Sequence, residues 1–515
     1  MTHAPFFTPP QGYAGPKRSL ILAGGGMRVA YQAGVLQALA EAGLCFRHAD
    51  GTSGGTMNLA MLFSGLAPTE MIDRWRSLDP KDFAGFMPLA DYLRGPDLPA
   101  MGSADGVVKK VFPHLGIDVS RINAAAGVAG TFNLCNFSRK TLETVEHTAL
   151  SLDRLVAGIS LPIFMPAVQI DGSFYTDGVW IKDANLMEAV RRGAEEIWVV
   201  WCIGNSSRYQ NGAFRQYVHM IEIAANGALF QELERIAEIN ARIAAGDQVG
   251  GRQHPILLHL IRPEYPLALD PDYFFGRIDG ATLIALGYED AKSYLASCRP
   301  EGLPLTPEVT HMRDETTGLW FRETMSGGFA LGETDPETGR QKGQAAGTNL
   351  SLHATVLIRD LDRFLTEPGH PGSLAGSIDF APFGGTIIGT GGVFNLFIPS
   401  GQPGLKYMVY ELGFQRDGNP YYLSGRKEVR DSSPTEAWKQ TTTLYTVLHE
   451  GTDATGPIVG AGTLSLGVPD LIRMLGTVST PGAPGPAQSA AAIARFGHFF
   501  LGQMWDSYGA HLARR

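Results

Sequence analysis

A chain of 515 residues is too long for one hydrophobic core and is expected to hold two or three domains. Hydrophobic residues at 44% and charged residues at 18% exclude a disordered or coiled-coil protein. A net charge of -9, with no long block of lysine or arginine, argues against nucleic acid as a partner and against electrostatic recruitment to anionic membranes. Any membrane contact must then be apolar. Cys45, Cys135, Cys202 and Cys298 have no C-x-x-C spacing, so neither a zinc site nor a disulfide framework is expected, and a reducing compartment fits. No apolar run reaches the roughly 18 residues of a spanning helix, and no secretory signal is visible. The expectation is a soluble, cytoplasmic protein with room for peripheral membrane contact.

In chain order, residues 1–17 read as a flexible lead. The apolar run Leu20-Ile21-Leu22-Ala23 then delivers Gly24-Gly25-Gly26-Met27-Arg28 to a helix, because Val29, Ala33, Leu36 and Leu39 recur at helical spacing. An extended stretch leads to Gly51-Thr52-Ser53-Gly54-Gly55, followed by a helix-like run from Met57 to Leu66. Residues 89–122 are irregular and could contribute a cover. Strands are expected at 128–134, 167–170, 197–203 and 255–261, and helices at 151–160, 214–245 and 279–297. Strands alternating with helices imply a mainly parallel sheet covered on both faces, with ligands bound beyond the strands' carboxyl ends. From about Leu303 the texture changes. Leu352, Ala354, Val356 and Ile358 alternate on one strand face, and 407–414 and 421–424 flank the turn Arg416-Asp417-Gly418-Asn419-Pro420. This half reads as antiparallel β, with 331–349 as a long polar loop, Gly389–Gly392 as turn glycines and 490–512 as an amphipathic packing helix carrying Ile493, Phe496, Phe500, Met504 and Tyr508.

The glycine loop offers unshielded N–H groups at a helix start, where negative charge is stabilised. That anion could be a phosphate or the oxyanion of an attacked ester. Gly51–Gly55 fits the G-x-S-x-G nucleophile elbow, which favours the second. A serine needs a base, and none of His48, His114 or His147 sits in a loop that singles it out. Asp177, in the turn ending Tyr175-Thr176-Asp177-Gly178 after a strand, could serve if burial raises its pKa.

These three motifs, in this order, resemble the patatin-like phospholipases over residues 18–295. Ala30-Tyr31-Gln32-Ala33-Gly34-Val35-Leu36 and Gly158–Val168 carry the same likeness. The resemblance implies a Ser53–Asp177 dyad without histidine, with Gly24, Gly25 and Gly26 as oxyanion loop. Arg28 matches the loop's basic residue, in a structural or phosphate-facing role, and Gly54 lines the elbow. Val29 and Val179 stand where that family usually keeps small residues; Val179 could narrow the pocket. The expected architecture is an α/β patatin-like domain at 18–300 followed by a β-rich domain at 301–515 ending in a helix. The expected activity is hydrolysis of lipid or fatty-acyl esters without metal or cofactor. The alternatives are a catalytically quiet lipid-binding protein, or an acyltransferase to an alcohol such as a sterol. Trp320–Gly327, Asp360–Leu365, Tyr422–Lys427 and Trp438–Tyr445 also resemble a β-rich accessory region found beside cholesterol-oxidase-like and lipase-like domains. Head group, acyl length and oligomeric state are not specified.

Overall fold

The computed structural model describes residues 3–205, 207, 209, 211–313, 316–430 and 440–512, leaving out the side chains of 96 and 503–512. These residues form two compact units, 1–275 with 279–313, and 276–278 with 314–515. The first unit thus runs on to Arg313 rather than ending at 300.

In the first unit, eight strands build one sheet: β1 (Arg18–Leu22), β2 (His48–Thr52), β3 (Ala129–Asn136), β4 (Thr141–Glu146), β5 (Val168–Ile170), β6 (Ser173–Asp177), β7 (Glu196–Val200) and β8 (Leu257–Ile261). Their order is β5-β6-β3-β2-β1-β7-β8, with β4 also on β3. The five strands β3, β2, β1, β7 and β8 are parallel to one another, and β4, β5 and β6 are antiparallel additions. The parallel strands read as apolar runs because helices cover both faces. β3 is shared in an unusual way. β4 occupies one edge along Thr131–Asn136, so both β2, paired with Ala129–Asn133, and β6, paired with Leu134–Asn136, must lie on the other. β6 therefore continues the edge that β2 gives up.

Residues 3–17, expected as a flexible lead, are packed on this unit. Phe7 is buried edge-on against Phe46 at 5.5 Å, and the Phe46 N–H donates to the Phe7 carbonyl. The stretch 89–122, expected as irregular, holds short helical pieces at Leu89–Tyr92, Val107–Leu115 and Val119–Ala124.

The second unit is a closed up-and-down barrel of β9 (Leu319–Leu331), β10 (Asn349–Ile358), β11 (Pro371–Phe380), β12 (Gly385–Pro399), β13 (Leu405–Arg416), β14 (Asn419–Arg430), β15 (Thr443–Glu450) and β16 (Ile458–Ser465), with β16 returning to β9. Leu352, Ala354, Val356 and Ile358 face its core as their alternation requires. The β13–β14 hairpin has a two-residue turn, Asp417 and Gly418, both at positive φ, matching the twist of the strands. Inside the barrel Lys427 Nζ donates to Glu323 Oε2 and Tyr410 OH, each at 3.1 Å, and Tyr410 OH donates to Glu323 Oε1 at 3.1 Å, so this buried ion pair shares a hydroxyl partner.

Two expectations fail in this unit. Residues 331–349 are not a loop, because Pro336–Ala346 is a helix. Asp335 caps its start by accepting the Thr338 N–H, and Gly347 ends it in the left-handed conformation. Its glycines mark close packing rather than disorder, since a side chain at Gly339 would overlap the Ala461 carbonyl and one at Gly343 the Phe329 backbone. Gly389–Gly392 make no turn; they lie within β12 at an irregularity in its pairing with β13. The terminal helix Pro486–Leu512 packs Phe496, Phe499 and Phe500 on the barrel core, while Ile493 is 40% exposed. The side chains of Met504 and Tyr508, and residues Trp438 and Lys439, lie outside the described residues.

Replacing Gly339 by valine is expected to destabilise the barrel unit by about 1–3 kcal/mol through overpacking. Denaturant unfolding of wild type and variant checks this.

Candidate active site

The site is built where β1 and β2 end. Between β1 and the helix α1 (Ala30–Glu41) runs the glycine loop, closed by a short turn of helix at Gly26–Val29. Gly25 has φ 156° and Gly26 φ 59°, conformations that side chains rarely adopt. Behind the loop a buried polar chain fixes α1 against the helix α2 (Gly54–Phe63). Gln32 Nε2 donates to the Ala23 carbonyl at 2.6 Å, Asn58 Nδ2 to the Val29 carbonyl at 2.8 Å, and Trp75 Nε1 to Asn58 Oδ1 at 2.8 Å.

Ser53 joins β2 to α2. It is buried at 5% exposure and held at φ 54°, ψ −131°, a strained strand-to-helix elbow. A methyl group built on Gly24 would lie 2.7 Å from Ser53 Cβ and 3.1 Å from Oγ, so loop and elbow touch. At Gly54 a methyl would lie 2.6 Å from the Gly26 carbonyl and 2.7 Å from Val29 Cγ1. The bulk of Val29 thus occupies room that Gly54 leaves open. Val179 is likewise spent in the apolar core, in one cluster with Ile21 and Ala23, rather than narrowing a pocket.

Asp177 is the last residue of β6, not a residue following a strand, and pairs with Leu134, one step beyond the Thr52–Asn133 pair that ends β2. The shared edge of β3 therefore sets Asp177 beside Ser53. Its Oδ1 accepts the Val179 N–H at 2.9 Å; Oδ2 is buried without a formed hydrogen bond. Burial pushes its carboxyl up to about 7, opposed by the Val179 N–H and by the nearby Ser53 hydroxyl.

Two further carboxyls, Asp183 and Asp270, were not singled out in the sequence. Asp183 Oδ1 accepts the Gly24 N–H at 2.9 Å, and Asp270 Oδ1 the Met27 N–H at 3.0 Å. Among the described residues the amides of Gly25 and Gly26, between them, have no such carboxylate partner. Burial pushes Asp183 up to about 8, reinforced by Asp177 and opposed by the Gly24 N–H and Arg28. Arg28 is itself buried at 7% exposure; its Nε donates to the Gly25 carbonyl at 2.9 Å, and its charge favours the ionised forms of Asp183 and Asp270. It braces the loop from inside. The signal for Asp183 in the sequence was its place on the loop that begins at Asp177.

Beneath the elbow lies a buried polar ladder. Asn133 Nδ2 donates to Asp50 Oδ1 at 2.6 Å and Thr52 Oγ1 at 3.0 Å, and Asn185 Nδ2 donates to Asn133 Oδ1 at 3.0 Å. Thr131 Oγ1 donates to Asp50 Oδ2 at 2.5 Å and meets His48 Nε2 at 2.8 Å. The ladder ties β2 to β3 and to the loop after Asp177. Its trace in the sequence is the alternation His48, Asp50, Thr52 just before Ser53. His48, locked into it and pushed down to about 3 by burial, is not a base for Ser53. Among the described residues no cluster of His, Cys, Asp and Glu is arranged to hold a metal ion.

A buried carboxyl pushed up to about 7 thus lies beside the hydroxyl of a strained elbow, next to a loop with two amides that, among the described residues, no carboxylate engages. Residues 20–190 match the family model described as patatin-like phospholipase, and this part of the chain is a patatin-like phospholipase domain. No curated protein sequence matches the chain. Among solved structures it is similar to VipD from Legionella pneumophila, at 10% identity and TM-score 0.27, covering 55% of this chain and 67% of that one. A chain of the SpcU–ExoU complex from the type III secretion system of Pseudomonas aeruginosa matches at 14% identity and TM-score 0.19, covering 57% and 76%. Scores this low carry no weight for function.

The buried acids also govern stability. Asp50, pushed up to about 7 mainly by burial, keeps in the folded chain a proton that the unfolded chain releases near 3.8. The folded state then binds more protons across that window, so this contribution to stability falls as pH rises from about 4 to 7. Asp50→Asn is expected to lose less stability than wild type between pH 5 and 8, read from urea midpoints at about those two pH values.

Proposed function

We propose that this protein is a serine lipid acyl hydrolase of the phospholipase A or esterase type. Ser53 Oγ attacks the acyl carbonyl carbon while Asp177 accepts the hydroxyl proton. The carbonyl π electrons move onto oxygen, and the resulting oxyanion accepts hydrogen bonds from the Gly25 and Gly26 N–H groups; Gly24, engaged with Asp183, holds the loop in place instead. Collapse of the adduct expels the alcohol, which takes the proton from Asp177. Water, deprotonated by Asp177, then attacks the acyl-enzyme; collapse breaks the bond to Ser53 Oγ, which takes the proton back from Asp177 as the fatty acid leaves.

The observation that carries this reading is the handover of the β3 edge from β2 to β6, which sets Asp177 beside the Ser53 elbow. The match of residues 20–190 to the patatin-like phospholipases supports lipid esters as substrates. The placing of Val29 and Val179 in packed interior favours a live enzyme over a quiet lipid-binding relative.

The test is hydrolysis of p-nitrophenyl acyl esters and phospholipid by wild type, Ser53→Ala and Asp177→Asn. Ser53→Ala is expected to fall to background and to lose labelling by a fluorophosphonate probe, and Asp177→Asn to lose about 10²–10⁴-fold in kcat. Equal rates in all three proteins overturn the proposal. Because the base must be ionised, wild-type kcat/KM is expected to rise with pH through about 7, the range to which Asp177 is pushed.

A further inference from the structure

Close to the site, the first unit exposes large apolar side chains in one place. Phe86 is 83% exposed, Leu89 80%, Leu93 84%, Met101 61% and Ile163 57%. The short helix Leu89–Tyr92 puts Leu89 and Leu93 one turn apart on a common face. The segment is a built structure. Tyr92 OH accepts the Met87 N–H at 3.1 Å and donates to the Met101 carbonyl at 2.9 Å, and the Ser103 N–H closes onto the Gly85 carbonyl at 3.0 Å. The Met101 N–H then donates to the Ile163 carbonyl at 2.7 Å, which joins Ile163 to the same surface.

Ile163 supplies an independent observation. It sits at φ 78°, a left-handed backbone that a β-branched residue adopts only under constraint. Its neighbours pack inward while it is turned out. The Phe164 ring meets Tyr217 at 5.2 Å and Phe214 at 6.0 Å, and Tyr217 OH donates to the Pro162 carbonyl at 2.7 Å. Three residues earlier the Ser160 carbonyl accepts the Asp177 N–H at 3.0 Å. One stretch, Ser160 to Ile163, thus links Asp177 to the exposed apolar surface, with the aromatic wall of Phe164, Tyr217 and Trp180 beside it.

Charge decides the kind of partner. Lys81, Arg94, Lys109 and Lys110 stand against Asp82, Asp91, Asp97 and Asp105 in residues 81–110, four of each sign. Arg94 pairs with Asp91, Lys109 with Asp105 and Lys110 with Asp82, at 3.3, 2.8 and 3.1 Å. No basic stripe remains to attract an anionic headgroup layer, and the chain's net charge of -9 opposes one. Exposed apolar side chains ringed by self-neutralised charge complement a surface that is apolar and uncharged.

We infer that Phe86, Leu89, Leu93, Met101 and Ile163 form the face by which this protein seats on an uncharged lipid surface, next to its Ser53–Asp177 site. The inference rests on the acyl-hydrolase reading for what is delivered to the site, not for the binding itself.

The test compares wild type with the triple variant Phe86→Ser/Leu89→Ser/Leu93→Ser, whose replaced side chains are exposed and lie outside the Ser53–Asp177 machinery. Each protein is floated with phosphatidylcholine-coated triolein emulsion and with vesicles of phosphatidylcholine alone or with phosphatidylserine, and assayed on the emulsion and on monomeric p-nitrophenyl butyrate. Emulsion binding and hydrolysis by the variant are expected to fall at least about tenfold, with butyrate hydrolysis within about twofold of wild type. Wild-type binding is expected to be unchanged as NaCl rises from about 0.05 to 0.5 M. The inference is overturned if the variant floats like wild type, or if wild type binds only phosphatidylserine vesicles in a salt-sensitive way. It is also overturned if lipid-free wild type is a dimer that the variant converts to monomer, since a second copy would then be the occupant. Flotation that depends on the patch without cleavage of either ester sinks the hydrolase reading and leaves the surface standing. Butyrate cleavage without flotation does the reverse.

Discussion

The site depends on one strand edge divided between two partners. β2 pairs with β3 from Ala129 to Asn133 and then departs at Ser53, and β6 takes up the same edge at Leu134. A parallel and an antiparallel strand thereby meet end to end, and the residues at the junction are a hydroxyl and a carboxylate. The departure of β2 demands the unusual backbone of Ser53, because a strand that continued straight would collide with β6. The polar ladder under the junction, from His48 through Asp50 and Asn133 to Asn185, holds the two strand ends in register. Strain at the elbow is sustained because the surroundings over-determine it.

The same junction is short of positive charge. Asp177, Asp183 and Asp270 are all pushed up by burial, and Arg28 is the cation that acts on two of them. Among the described residues no cation acts on Asp177, so burial dominates and pushes its carboxyl up to about 7. Asp183 and Asp270 are bonded to loop amides at either side of Gly25 and Gly26. The carboxyls thus divide the labour: Asp177 lies near the Ser53 hydroxyl, and Asp183 and Asp270 fasten the loop at Gly24 and Met27.

How much of this was legible in the sequence follows from how local each feature is. The glycine loop, the elbow and the alternating strands and helices are written in contiguous residues, and the structure keeps them. The pairing of Ser53 with Asp177 could be inferred only from the order of motifs, since the edge they share belongs to β3, far from both. Asp270 leaves no pattern because a single carboxylate bonded to a distant amide marks nothing in its neighbours, and Asp183 has only its place on the loop that begins at Asp177. The helix Pro336–Ala346 reads as a loop in sequence because its glycines, which lower helix propensity, are there to let the barrel wall approach. The lead at 3–17 differs from its sequence expectation for a like reason: its prolines suggest freedom, while Phe7 supplies an anchor.

The closed barrel sets a condition on how the chain is made. β9 completes its pairing with β16, joining Leu331 to Gly460 and Ser326 to Ser465, so the ring cannot shut until nearly all of it has been synthesised. The first unit is complete by Arg313, before the first barrel strand begins. On the ribosome the site-bearing half can therefore fold while the barrel is still an open row of hairpins with two unsatisfied edges. Once shut, the barrel offers no edge for another strand to join. The hazard of misassembly is thus confined to the interval between the emergence of β9 and that of β16.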